Sequence, residues 1–154
     1  MISDQLQEAV LKPGSHPDWD ARNHKVMAIR GSVFHGTTVP VAKLLKSRQG
    51  PRHPDARVKV RQWIGPIGFY VTKVLERARS FANHHAKAKG SIPSVLSWDA
   101  KKLGLDRVLF SIRDPTAVDI QMAKELGLSG VRGPGEWGIL VFDPKPVPGK
   151  EVSL

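Results

Sequence analysis

"IGFYVTKVLERARSFANHHAKAKG", residues 67–90, decides what kind of fold this chain can adopt. Residues 67–71 are an apolar run too short for a helix, and they read as a buried strand. Thr72 follows as a helix cap. From Lys73 the period changes: Val74, Ala78, Phe81 and His85 recur at helical spacing, with Leu75 and Ala82 beside them. Gly90 stops the helix. A strand running directly into a helix calls for a fold that mixes the two.

The flanking sequence extends this pattern. Residues 3–11 read as a short helix, and 12–24 as a loop rich in Pro, Gly, His and Asp. Residues 25–29 and 32–36 read as strands. Thr38 and Pro40 open a helix that runs to Arg48. Two prolines and a glycine make 49–58 a mobile basic loop, and 58–64 alternates like a strand. Further strands are expected at 94–100, 107–112 and 136–143. A helix begins at Asp114-Pro115 and runs to Leu126, where Gly127 ends it. Four glycines and a proline make 127–135 a loop. Pro144, Pro146 and Pro148 end the domain. Strand, helix and strand do not alternate regularly enough for a doubly wound parallel sheet. An α+β fold with a mainly antiparallel, strongly twisted core is expected.

The 154 residues fit one domain with a single core. No apolar run approaches the roughly 18 residues of a membrane span, and the first residues do not read as a secretory signal. Cysteine is absent, which removes disulfides, thiol nucleophiles and thiolate metal sites. Net charge is +10 and unevenly spread. Lys43, Lys46, Arg48, Arg52, Arg57, Lys59 and Arg61 stand against Asp55 alone; Lys73, Arg77, Arg79, Lys87 and Lys89 stand against Glu76 alone. Clustering of this kind favours a polyanionic partner such as nucleic acid, a phosphate-bearing ligand or an acidic protein. There is no phosphate-binding P-loop, no G-x-G-x-x-G in strand-to-helix context and no G-x-S-x-G elbow. His84 and His85 are adjacent and face different directions on a helix, so no metal site is expected.

Three segments, taken in order, carry a more specific signal. VFHGTT (33–38) places a histidine and a glycine at the end of a strand, ahead of VAKLLKSR. GFYVTKVLERARSFA (68–82) has Tyr70 and, eleven residues on, Phe81. GEWGILVFDP (135–144) puts Glu136 ahead of an apolar run that ends on aromatic-Asp. Over roughly residues 30–145 the set resembles the ADP-ribosyltransferase superfamily, in the His-Tyr-Glu branch that includes poly(ADP-ribose) polymerases and diphtheria-type toxins.

That resemblance implies a split, twisted β-sheet with flanking helices, forming one catalytic domain over 25–154 behind an N-terminal helix and loop (1–24). It implies NAD as co-substrate, cleaved at its nicotinamide–ribose bond through an oxocarbenium-like transition state. Glu136, Tyr70 and His35 would be catalytic. Glu136 would stabilise the positive charge on the ribose. Tyr70 and Phe81 would sandwich the nicotinamide ring, Phe81 standing where the family usually has Tyr. His35, Gly36 and Thr37 would join them in holding NAD, Gly36 through its backbone. Without the other motifs His35 would read as a satisfied core histidine, and Phe81 as helix-face packing.

The family's arginine-modifying members carry an acid two residues before the catalytic Glu. Pro134 stands there, which disfavours arginine as acceptor. The Gly-rich stretch 127–135 stands where the family places its target-recognition loop, and with the basic charge this favours a nucleic-acid acceptor, RNA or DNA, over a neutral protein surface, with a protein acceptor as the alternative. Arg132, Arg52, Arg57 and Arg61 are the candidate contacts. The resemblance further implies a toxin domain acting in the cytoplasm of a target cell, with an acidic immunity protein as partner. An NAD glycohydrolase, or a non-catalytic nucleic-acid-binding module, are the alternatives.

Overall fold

A computed structural model describes residues 24–59 and 69–153, with the side chains of Arg57, Val58, Lys59 and Glu136 left out. The first half runs β1 (His24–Met27), β2 (Ser32–Thr38), α1 (Val39–Leu45), α2 (Pro54–Lys59), β3 (Phe69–Val71) and α3 (Leu75–Lys89). The second runs β4 (Pro93–Asp99), α4 (Ala100–Leu103), β5 (Val108–Ser111), α5 (Ala117–Glu125), β6 (Gly130–Arg132), β7 (Ile139–Val141) and β8 (Lys150–Val152). The expected helix at 3–11 and loop at 12–23 lie outside the described residues.

The chain is α+β, with two mostly antiparallel sheets. The larger has the order β1-β5-β6-β7-β3, the smaller β2-β4-β8. Among the described residues only β5 and β6 pair in parallel, with α5 as the crossover between them. A bridge between Phe34 and Thr72 joins the sheets. The Phe34 N–H donates to the Thr72 carbonyl at 2.8 Å, and the Thr72 N–H to that of Phe34 at 2.9 Å.

Phe69 anchors the core beside this junction. It is fully buried, stacked on the His35 ring (4.8 Å, 12°) and edge-on to Trp98 (5.8 Å, 81°). Burying such a side chain contributes about 2–3 kcal/mol. The Trp98 indole N–H donates to the Val147 carbonyl at 2.8 Å. A Cβ on Gly149 would lie 2.7 Å from that indole, so only glycine lets the tail pass. The tail therefore returns as β8 on the edge of β4, and the three prolines do not end the fold.

Other expectations are also corrected. Residues 49–58 are not a loop: Gly50–Arg52 is a 3-10 turn and α2 follows, Pro51 and Pro54 taking early helical positions where the missing N–H costs nothing. Residues 58 and 59 therefore belong to α2; the rest of the strand expected at 58–64 lies outside the described residues. Thr72 does not cap α3. Its hydroxyl accepts from Val74 N–H at 3.1 Å, and the helix starts at Leu75. The helix expected from Asp114 begins at Ala117, where Thr116 and Asp119 form a capping box. The glycine-rich stretch contains β6, and β7 starts at Ile139 instead of Glu136. No helix among the described residues is long and apolar enough to cross a membrane.

His24 also belongs to β1 and not to a preceding loop. It is buried, and its Nε2 lies 2.8 Å from the fully buried Asp119 carboxylate. Burial alone would raise the Asp119 pKa. The hydrogen bonds from His24 and Thr116 N–H, and the Arg113 charge, outweigh it and hold the carboxyl below its ordinary value. A depressed carboxyl stabilises the fold above the unfolded-chain value of about 3.9, and that contribution is lost as pH falls through the folded value. Asp119→Asn is expected to lower stability at pH 7 by about 2–3 kcal/mol and to shrink the acid-induced loss, as read by urea unfolding at pH 7 and pH 3.5.

Candidate active site

The sheet junction creates a cavity of about 270 Å³, lined by β2 (Phe34, His35, Gly36), the end of β3 (Tyr70, Val71, Thr72), α3 (Arg77, Ala78, Phe81) and the Trp137-Gly138 turn. Three of the motifs singled out in the sequence thus meet in one place. Strand alternation explains how β2 serves two partners. Val33 and His35 face the main core, while Phe34 and Gly36 face α3.

His35 is 2% exposed. Its Nδ1–H donates to the Tyr70 carbonyl at 2.7 Å, which leaves Nε2 as a bare acceptor. That Nε2 is buried and has no hydrogen-bond partner among the described residues. Desolvation, helped by nearby His85 and opposed by the Tyr70 carbonyl, lowers the His35 pKa to about 4. The ring is therefore neutral at pH 7, a fixed acceptor awaiting a donor. Leaving such a group unsatisfied costs about 1–3 kcal/mol, so it marks where a ligand hydroxyl or amide would gain most.

Gly36 offers backbone groups. Phe34 exchanges both its hydrogen bonds with Thr72, so its N–H and C=O face away from β4. Ladder alternation puts those of Gly36 on the same edge, past the bridge. The residue also lets α3 close on the strand: a Cβ there would lie 2.1 Å from the Ala78 carbonyl oxygen and 2.9 Å from Ala82 N. These are backbone atoms that cannot swing aside. Gly36→Ala is expected to lose about 2–3 kcal/mol in a urea melt and to distort the cavity, because α3 must shift.

Aromatic rings form the walls. Tyr70 meets Trp137 edge-on (5.3 Å, 66°), and burial raises the phenol pKa. Phe81 is 39% exposed at the cavity rim and stacks on His85 (5.7 Å, 22°). Trp137 was not anticipated from sequence, and Arg77 only as one of the basic cluster at 73–89. An open groove along α3, lined by Val74, Glu76, Arg77, Ser80, Phe81 and His84, continues the cavity outward, with Glu76 paired to Arg79.

The backbone of Glu136 lies in a 3-10 turn, Gly135–Trp137, between β6 and β7. Gly133 fixes the approach to this turn. A Cβ there would meet Trp137 and Pro115 at 2.7 Å, and the Gly133 N–H closes on the Gly138 carbonyl at 3.1 Å. Trp137 lines the cavity, whereas Gly135 lines a second cleft of about 260 Å³ together with Arg132. The Glu136 backbone therefore sits at the boundary between the two recesses. Thr37 is buried in β2 and does not line the cavity. Arg52 lines neither recess and pairs with Asp143. Arg57 contributes backbone to α2, and Arg61 lies outside the described residues. No cluster of three or more His, Asp or Glu side chains among the described residues could hold a metal ion.

In comparisons with known proteins, no family model, no curated protein and no solved structure matches the chain.

Proposed function

We propose that this chain is an NAD-dependent ADP-ribosyltransferase of the His-Tyr-Glu kind, built on that superfamily's split sheet. The observation that carries the reading is His35, which lines a cavity walled by Tyr70, Phe81 and Trp137 and whose buried, neutral Nε2 has no partner among the described residues. A ribose hydroxyl satisfies such an acceptor, and the aromatic walls suit a flat cationic ring. The recess has room for a nicotinamide and its ribose; the α3 groove would take the remainder of the dinucleotide, with Arg77 at the joint to meet the pyrophosphate.

In this reading each residue has one task. Tyr70 and Phe81 hold the nicotinamide by its faces, and Trp137 braces Tyr70. Gly36 pairs with the carboxamide through N–H and C=O. His35 accepts from a ribose hydroxyl and fixes the sugar. Glu136 lies against the ribose as positive charge grows and the C–N electron pair departs with neutral nicotinamide. A nucleophile on a macromolecule then takes the ribose carbon. Such a domain would act as a toxin in the cytoplasm of a target cell, and its basic surface would suit an acidic immunity protein.

Titration calorimetry with NAD tests the reading at the binding step. Wild type should bind with a 1:1 stoichiometry, and free nicotinamide should compete. Wild type that binds neither NAD nor nicotinamide contradicts it.

A further inference from the structure

The second cleft has a chemical character of its own. Register places Lys25 opposite Phe110 on β1 and β5, and Phe110 opposite Arg132 on β5 and β6. Direct cross-strand partners share a face, so Phe110 lies in a row between two cations. The Lys25 ammonium stands 5.3 Å from the Phe110 ring centroid. Phe110 and Arg132 are half-buried and both line the cleft, as does Lys73, whose ammonium donates to the Arg30 carbonyl. No carboxylate belongs to its described lining. Neither Lys25 nor Arg132 forms an ion pair among the described residues, whereas Arg52, Lys46 and Arg79 are each matched with an acid.

A flat apolar ring flanked by unmatched cations is what a base with its neighbouring phosphates requires. The ring stacks on any base, and the cations release counterions from the backbone. An acidic peptide would use the cations but leave the ring idle. The cleft also adjoins the first cavity along Thr72 and Gly138, and the Gly135–Trp137 turn has one end in each. We propose that this cleft is the acceptor site and that it takes a single-stranded nucleic acid, with a base on Phe110 and phosphates on Arg132 and Lys73. The assignment as acceptor site rests on the transferase reading; the binding does not.

The test is fluorescence anisotropy with labelled 12-nucleotide single strands of RNA and of DNA, without NAD, beside a duplex and a poly-glutamate peptide. Single strands should bind best, with log affinity falling by about 0.7 per phosphate contact per log unit of salt. Phe110→Leu should weaken binding on the order of tenfold. Arg132→Gln should weaken it and reduce the salt slope by about 0.7. Lys102→Gln, which removes a cation lining neither recess, should do much less. Thermal melts and NAD titration confirm that the variants fold and keep the first cavity. Cleft variants that bind strands as wild type does overturn the proposal. So does poly-glutamate binding as tightly as the strands. With labelled NAD added, the strand type that gains label separates RNA from DNA as acceptor. If NAD stays intact while Phe110→Leu still weakens strand binding, the transferase reading fails and the cleft assignment survives. If NAD is cleaved but cleft variants leave strand binding unaltered, the reverse holds.

Discussion

Glu136→Gln is expected to lower nicotinamide release from NAD by about 10²- to 10³-fold with the melting temperature essentially unchanged. The substitution keeps size and removes only the charge. Glu136 stands in a 3-10 turn outside the β7 ladder, so no strand pairing depends on it. Leaving-group departure concentrates positive charge on the ribose. A carboxylate meeting that charge in a recess walled by aromatic rings stabilises the transition state far more than the ground state. Affinity for NAD should therefore change little while turnover collapses. Chromatographic assay of nicotinamide, alongside a binding titration, separates the two. Equal turnover in the variant would remove Glu136 from the chemistry.

The second large effect is at His35, where fold and binding can be told apart. Its folded pKa of about 4 lies below the unfolded value of 6.5. Between those values the unfolded chain binds a proton that the folded chain refuses. Stability is therefore full above about pH 6.5 and falls as pH drops toward 4, by a total of about 3 kcal/mol. His35→Asn places an amide N–H where Nδ1 was, so the bond to the Tyr70 carbonyl can persist while Nε2 is deleted. The variant should lose the stability slope between pH 6.5 and 4, remain folded at pH 7, and bind NAD on the order of tenfold more weakly. His35→Ala, which also empties space beside Phe69, should lose both stability and binding. A folded His35→Asn with wild-type affinity would return His35 to the role of core filler.

The residues that line the cavity were legible in part because they are concentrated in short runs. VFHGTT, the Tyr70–Phe81 spacing and GEWGILVFDP each read locally, although Glu136 stands in a turn and not at a strand head, and the sheet junction brings residues of all three to one cavity. What escaped were features that only tertiary contact defines. β6 reads as loop because Gly130 lies where a Cβ would fall 2.2 Å from the Leu140 carbonyl oxygen; backbone approach, not flexibility, demands that glycine. β8 is a short, mostly polar edge strand, with no apolar alternation to betray it. α2 was hidden by prolines that begin helical turns instead of breaking them. Trp137 gave no signal of its own because its partner, Tyr70, is 67 residues away in sequence and adjacent only through the β3–β7 pairing. Phe110 and Lys25 are joined in the same way, by register across β1 and β5.

Transfer of ADP-ribose from NAD to a macromolecule, the proposed activity, can be followed directly. Wild type and Glu136→Gln are incubated with NAD labelled in the adenosine half and with a cell extract, and protein, RNA and DNA fractions are then counted. Label is expected in a nucleic-acid fraction with wild type and in none with Glu136→Gln. NAD left intact by wild type would contradict the proposal.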